Sequence, residues 1–317
     1  MDELVRALRA IAEPTRLRIA ALLAVGELTV SELTQILGQS QPRVSRHVGL
    51  LVDAQIVERL PEGTWVFSRL VMDTQLSDLV RAAIATMSVS DPVLVRDRER
   101  LALVNADRAA SAALYFGKAA ADWDQIRSLH LAEADVEAAL LGAVGDGPFA
   151  QMLDIGTGSG RMLEIFAPRI GKGLGVDLSR EMLNFARSKL QDITHCSVQQ
   201  ADLFSLPIAD ASQDLVTVHQ VLHYLVDPAA ALIEAARVLK PDGILALVDF
   251  APHQCEFLRE KHAHRRLGFT EQEIGHWVSD AGLSIGQTLS LSPSQPKIGK
   301  PSLTVKIWTA TKERSVP

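Results

Sequence analysis

Cysteine is nearly absent: Cys196 and Cys255 are the only two in 317 residues. Two thiols make neither a disulfide framework nor a zinc site of several thiolates. No apolar run approaches the ~18 residues needed to cross a bilayer. The chain opens Met1-Asp2-Glu3, without the basic stretch and unbroken apolar core of a secretory leader. These absences predict a cytoplasmic protein with no membrane contact. With 47 % hydrophobic and 22 % charged residues, disorder is excluded as the main state. At about 150 residues per domain, the length predicts two domains.

One absence is local. Residues 1–70 contain no lysine, and eight arginines are balanced there by eight acidic residues. The formal charge of −6 therefore belongs to the rest of the chain. Between Leu33 and Val52 the only full charges are Arg43 and Arg46, with His47 beside them. One helix-sized segment is cationic inside a neutral domain, and local charge is what nucleic-acid binding needs.

The pattern around that segment is helical. Leu4, Leu8 and Ile11 recur at helical spacing. Pro14 suits the first turn of a second helix, expected from Thr15 to Ala24. Thr29 followed by Glu32 is a capping-box pattern for a third, which ends at Gly38. Ser40 is expected to cap a fourth, whose buried stripe is Val44, Val48 and Leu51. Ile56–Leu60 and Trp65–Phe67, separated by a Pro/Gly turn, read as a hairpin. The succession is a winged helix-turn-helix. Its fourth helix presents Ser40, Gln41, Arg43, Ser45, Arg46 and His47 to a major groove, and Arg59 on the wing reaches a phosphate. A small helical interaction domain with a solvated polar helix is the alternative.

This segment resembles the ArsR/SmtB family of winged-helix repressors, best over Ser40-Gln41-Pro42-Arg43-Val44-Ser45-Arg46-His47. The resemblance implies a homodimer that binds double-stranded operator DNA and leaves it on binding a ligand. Where metal-sensing members carry a cysteine pair, this chain has Thr29 and Ser31, and hydroxyls do not replace soft thiolates. The family's other metal site uses Asp and His after the wing; Asp73 and Asp78 lie there, but no histidine does. No metal is expected. Beyond the wing, Val71–Met87 reads as a helix with an apolar stripe suited to pairing two protomers. Ser88–Pro92 is the expected interdomain break, and Val93–Phe116 a further helix. Tyr115, Phe116 and Trp123 are lid aromatics or core aromatics.

The chemistry lies beyond residue 150. A short buried strand, Gln151–Ile155, runs into Gly156-Thr157-Gly158-Ser159-Gly160 and then a helix. Glycines let backbone approach a ligand, although such a loop alone is a weak signal. Three residues sharpen it: Asp154 just before the glycines, Asp177 ending the next strand, and Asp202 after a third strand near Val198. A carboxylate at the Asp177 position accepts hydrogen bonds from both ribose hydroxyls. A fourth strand, Asp214–Val218, leads to His219. Leu239–Gly243 is expected as a turn before a fifth, Ile244–Asp249. Strand and helix alternate, as in an open α/β sheet with its ligand at the strands' carboxyl ends.

This stretch resembles the class I S-adenosylmethionine (SAM)-dependent methyltransferases, in the small-molecule branch of the ubiquinone/menaquinone C-methyltransferases. The implied fold class is α/β: an N-terminal winged helix-turn-helix and a C-terminal Rossmann-like, seven-stranded methyltransferase domain. The implied cofactor is SAM, with S-adenosylhomocysteine (SAH) as product. By resemblance the loop of Asp154, Gly156, Thr157, Gly158 and Gly160 holds the methionine moiety, Asp177 the ribose and Asp202 the adenine. Leu178, Leu203 and His219 complete the cofactor set. Asp242 stands where the family often has a glycine.

Methyl transfer mainly requires positioning, and a general base is optional if the acceptor ionises easily. His219, His223 and Tyr224 are the catalytic candidates, with Asp249 and His253 behind them; each histidine is otherwise a pocket liner or cap. Glu256, Glu260 and His264 are expected on one helix face, as a metal or acceptor site or a solvated surface. Arsenite is disfavoured as acceptor, since only Cys196 and Cys255 offer thiols. The expected division is 1–90 for DNA binding and dimerisation, 91–145 as connector and lid, and 146–317 as methyltransferase domain. Three readings follow: a regulator that methylates a small molecule, a regulator that senses SAM or SAH, and a nucleic-acid methyltransferase. The last lacks the Asn-Pro-Pro-Tyr-like or Pro-Cys motif of base methylases after the fourth strand.

Overall fold

The computed structural model describes residues 1–62, 65–71, 74–107, 132–262, 264–292 and 303–313. The expected wing tip, Asp73, and the aromatics Tyr115, Phe116 and Trp123 lie outside these. Two compact units emerge: Met1–Ala112 with Arg187–Ser197, and Ala113–Ala186 with Val198–Pro317. Among the described residues no helix is long and apolar enough to cross a membrane.

The first unit begins with α1 (Asp2–Ile11) and α2 (Pro14–Leu23). Pro14 takes the first turn of α2, and the Glu13 carboxylate caps it by accepting from Arg16 N at 2.9 Å. Then come β1 (Leu28–Thr29), α3 (Val30–Leu37) and α4 (Gln41–Asp53). The capping box at α3 forms as expected, with Thr29 Oγ1 accepting from Glu32 N and Glu32 accepting from Thr29 N. Gly38 closes α3 at φ 64°, a left-handed conformation that glycine adopts without a Cβ clash. The hairpin is longer than predicted: β2 (Val57–Glu62) pairs antiparallel with β3 (Trp65–Leu70). β1 adds a third strand by pairing with β3, which the sequence reading did not foresee. α5 (Gln75–Ala85) starts later than expected because Thr74 caps it. A helix over 92–107, α6, follows. Val44, Val48 and Leu51 of α4 are fully buried against Ile19, Leu33 and Ile36 in one core.

The second unit is a seven-stranded sheet. α7 (Glu133–Val144) precedes β4 (Phe149–Ile155), α8 (Arg161–Phe166), β5 (Ile170–Asp177), α9 (Arg180–Lys189), β6 (Cys196–Gln200) and β7 (Gln213–His219). α10 (Pro228–Val238), β8 (Leu239–Phe250), α11 (Phe257–His262), α12 (Glu271–Asp280), β9 (Leu283–Leu291) and β10 (Val305–Lys312) complete it. The strand order is β6-β5-β4-β7-β8-β10-β9. β4 lies parallel to β5 and β7, and β7 parallel to β8, while β10 runs antiparallel to both neighbours. Order reverses beside β4, and the crevice at the carboxyl end of such a switch point is where open α/β sheets hold ligands. The turn expected at Leu239–Gly243 is instead absorbed into β8. Its pairing with β7 shifts register between Gln213 and Leu215, and Asp242 takes φ 63°.

Candidate functional site

In the first unit, α4 turns its apolar stripe inward and leaves Ser40, Gln41, Arg43, Ser45 and Arg46 exposed. Ser40 occupies the cap position, but its hydroxyl makes no cap hydrogen bond, contrary to expectation. That side chain stays available at the outer end of the helix. His47 behaves differently from its neighbours: its Nδ1 stands 3.6 Å from a Glu13 oxygen. Burial, helped by the positive charges of Arg16, Arg43 and Arg46, holds this imidazole below its ordinary value, against the pull of Glu13. Arg59 is exposed on β2 and lies alongside Gly49 in the second half of α4. Two residues of α6 grip this motif. Asp97, almost fully buried, receives two hydrogen bonds from Arg18 of α2 at 2.6 and 2.7 Å. Arg100 donates to Ile36 O at 2.9 Å, at the carboxyl end of α3.

In the second unit, the expected cofactor residues gather at the carboxyl ends of β4, β5 and β6. Gly156, Gly158 and Gly160 adopt φ of 70°, 51° and 76°. The N–H groups of Gly156 and Thr157 both donate to Val176 O, which locks the loop onto β5. A Cβ on Gly156 would sit 2.3 Å from a Val221 methyl, so only glycine fits. Gly175, which the sequence reading passed over, clears the opposite side: a Cβ there would stand 2.5 Å from Thr157 Oγ1. Asp177 accepts from Gly158 N at 2.9 Å through one oxygen and from Ser179 N at 2.8 Å through the other. Asp202 accepts from Phe204 N at 3.0 Å, and Ala201 N donates to Asp177 O. Leu203 is buried and Leu178 mostly exposed.

Asp154 lies beneath the loop, fully buried, and accepts from Thr217 Oγ1 at 2.7 Å. Burial pushes its carboxyl up to about 6, with the Thr157 and Thr217 hydroxyls pulling the other way. These residues fit a sulfonium nucleoside. A carboxylate offers about four lone-pair sites. Two at Asp177 are taken by backbone, which leaves capacity for a vicinal diol.

The catalytic candidates lie on the carboxyl ends of β7 and β8. His219 closes β7, half-buried, opposite Val248. Gln220 follows at φ 56°, and a short 3-10 turn, Leu222–Tyr224, turns inward. His223 is only 2 % exposed, and its Nδ1 lies 2.8 Å from an Asp249 oxygen. Tyr224 is 37 % exposed, and burial together with Asp249 pushes its phenol up to about 12. The expected face of Glu256, Glu260 and His264 does not exist. α11 spans only Phe257–His262, Glu256 pairs with Arg259 in solvent, and His264 leaves the helix to stack on His223. Helical spacing does not apply past the end of the helix.

Two family profiles match. Residues 13–59 match the bacterial regulatory protein, arsR family, and residues 153–247 match a methyltransferase domain. A protein of transposon TN4556 from Streptomyces fradiae is 34 % identical over 177 residues, 51 % of each chain. The methyltransferase YcgJ of Bacillus subtilis is 39 % identical over 105 residues, 32 % of this chain and 42 % of that one. A ubiquinone/menaquinone biosynthesis C-methyltransferase from Shewanella is 34 % identical over 122 residues, 37 % and 49 % of the two chains. This chain thus spans about half or less of these curated relatives. Among solved structures, a candidate methyltransferase of Haloferax volcanii, in complex with the Trm112 activator, superposes with TM-score 0.53 at 23 % identity. That match covers 63 % of this chain and 98 % of the other, and shows the fold. The chain therefore carries an arsR-family helix-turn-helix segment followed by a methyltransferase domain of the class I fold.

Proposed function

We propose that this protein is a cytoplasmic, DNA-binding regulator of ArsR type whose α/β domain binds SAM and methylates a small molecule. The observation that carries the enzymatic half is the loop geometry: three left-handed glycines, the buried Asp154, and Asp177 with acceptor capacity to spare. When bound, SAM supplies an activated methyl group, and this chain supplies the positioning. The exposed polar face of α4 carries the DNA half. Pairing of two copies is supported by α1, where Leu4, Val5 and Leu8 are each about two-fifths exposed. Leu4 also lines a groove with Val52, Leu76 and Leu79. A dimer places two recognition helices on one operator, as half-site spacing requires.

A second reading, in which SAM or SAH is sensed, is favoured by α6. Asp97 and Arg100 tie that helix to α2 and α3, and it precedes the α/β domain in the chain. A ligand regulates DNA binding only if it distinguishes two states. The test is fluorescence anisotropy with the protein's own upstream DNA at fixed salt, with SAM and SAH titrated separately. Binding unaffected by either ligand, together with methyl transfer to an acceptor, supports the enzymatic reading. A tenfold change with one ligand alone (about 1.4 kcal/mol) supports sensing. Failure to bind DNA or SAH overturns the corresponding half.

A further inference from the structure

We propose that Asp249, His223 and His264 form the acceptor half of the active site, with His223 Nε2 as general base for a flat acceptor bearing an ionisable ring hydroxyl. This rests on the methyltransferase reading. Its starting point is a buried carboxylate. Asp249 is 0 % exposed and accepts from Phe250 N at 2.8 Å, from His223 N at 3.3 Å and from His223 Nδ1 at 2.8 Å. A carboxylate at Nδ1 fixes the tautomer whose lone pair is on Nε2. That nitrogen makes no hydrogen bond among the described residues.

The dyad stands next to the cofactor loop. Val221, two residues before His223, is the side chain that packs on Gly156. Around His223 the rings form a platform. His264 stacks on it at 4.0 Å between centroids and 21° between planes, Tyr224 lies at 4.1 Å, and Phe250 at 5.5 Å. Aromatic faces recognise flat rings. Tyr224 is the solvent-facing member, and an acceptor enters along it. Among the described residues, His264 Nδ1 and His253 Nε2 are buried with no hydrogen-bond partner. Such nitrogens are costly unless something pairs with them, and oxygens on a ring substituent do so.

Burial and the neighbouring His223 push His264 down to about 3. His264 therefore stays neutral, and the ring held by Asp249 is the base. The titratable groups facing His264 are His223, Tyr224, Asp249, His253 and His262; Arg259 and Glu256 also face His253. Among the described residues, no three His, Cys, Asp or Glu side chains are placed to hold a metal ion together. As the acceptor oxygen forms its bond to the methyl carbon, the sulfur–carbon bond breaks with its pair left on sulfur, and the hydroxyl proton ends on His223 Nε2. The positive charge lost at sulfur reappears as an imidazolium beside Asp249.

The test uses the full chain loaded with SAH and 4-nitrocatechol as a coloured probe of ionisation. In the wild type the bound probe ionises about one pH unit lower than free probe, a tenfold shift. His223→Asn keeps an N–H for Asp249 but has no basic nitrogen. It abolishes the shift while SAH affinity, measured by calorimetry, stays within about twofold. Absence of probe binding, or a shift that survives His223→Asn, overturns the proposal. Failure of the wild type to bind SAH sinks the methyltransferase reading instead. Should the variant not fold, 15N resonances of the wild-type histidine rings decide. A bare Nε2 on His223 that gains a proton with probe supports the proposal, and an Nε2 already protonated in the free chain overturns it.

Discussion

The carboxyl edge of the seven-stranded sheet is built on two plans. Over β4 and β5 the site is backbone: three left-handed glycines, N–H groups tied to Val176 O, and a carboxylate whose oxygens are already oriented by Gly158 and Ser179. Over β7 and β8 it is side chain: a buried His–Asp pair inside a stack of imidazole, phenol and phenyl rings. A backbone site tolerates no added atom, because its shape is the chain itself. A side-chain site tolerates replacement wherever the new group keeps the hydrogen bonds. The two plans therefore predict different mutational spectra, and the contrast can be broken by experiment.

The largest effect belongs to Gly156→Ala. The new methyl would lie 2.3 Å from Val221 at φ 70°, so the loop or the Val221 turn must move. SAH affinity should fall at least about a hundredfold, about 2.7 kcal/mol. Calorimetry checks this, and an alanine variant that binds SAH normally would end the claim that the cradle is closed backbone. Asp177→Ala comes next. It removes the acceptor for two backbone N–H groups and for the diol together, hydrogen bonds to a charged group worth about 1.5–3 kcal/mol. A loss of about tenfold to a hundredfold in SAH affinity is expected. A threefold loss or less would mean that the ribose is held elsewhere.

The difference in plan also decides what the sequence discloses. Gly156, Gly158, Gly160 and Asp177 form a pattern because a strand, a tight loop and a helix must follow one another in fixed steps. Even so, Gly175 escaped notice. Its role is to clear space for Thr157 in the loop after the neighbouring strand, a closeness that the pairing of β4 with β5 creates. In the ring stack, His223, Asp249 and His264 come from separate segments with no common period. His264 was misplaced because α11 ends at His262 and the helical spacing no longer applies. In the first unit, Thr29–Glu32 disclosed α3, whereas β1 is too short for a strand signal and forms by pairing with β3.

Asp154 sharpens the comparison from below, as a side chain that supports the backbone cradle. Its carboxyl sits at about 6 in the folded chain, against 3.8 for the free group, because burial penalises the charge. Between those values the folded state binds the extra proton. This group therefore favours folding increasingly as pH falls from about 6 toward 4, and its burial cost is fully present above 6. Asp154→Asn removes the charge and keeps an acceptor for Thr217. The ligand-free variant should gain about 2–3 kcal/mol over wild type at pH 7.5, and most of that gap should close by pH 4. Urea unfolding at the two pH values measures it, and a gap independent of pH would show that burial does not set this carboxyl's behaviour.

The smallest effect separates two helix starts within the first unit. Thr29 spends its hydroxyl and backbone N–H on the capping box of α3, while Ser40 caps α4 by position alone. Thr29→Ala should cost about 1 kcal/mol of stability, the ordinary worth of a hydrogen-bonded cap. Ser40→Ala, which breaks no cap bond, should cost no more than a few tenths. If the Ser40 hydroxyl is kept for a DNA phosphate, the order reverses in operator binding. Ser40→Ala should then weaken binding about threefold to tenfold, and Thr29→Ala should leave it alone, once both are measured well below their unfolding transitions. Equal stability losses would mean that Ser40 caps α4 in solution. Equal DNA affinities would mean that the uncapped start of α4 faces no phosphate.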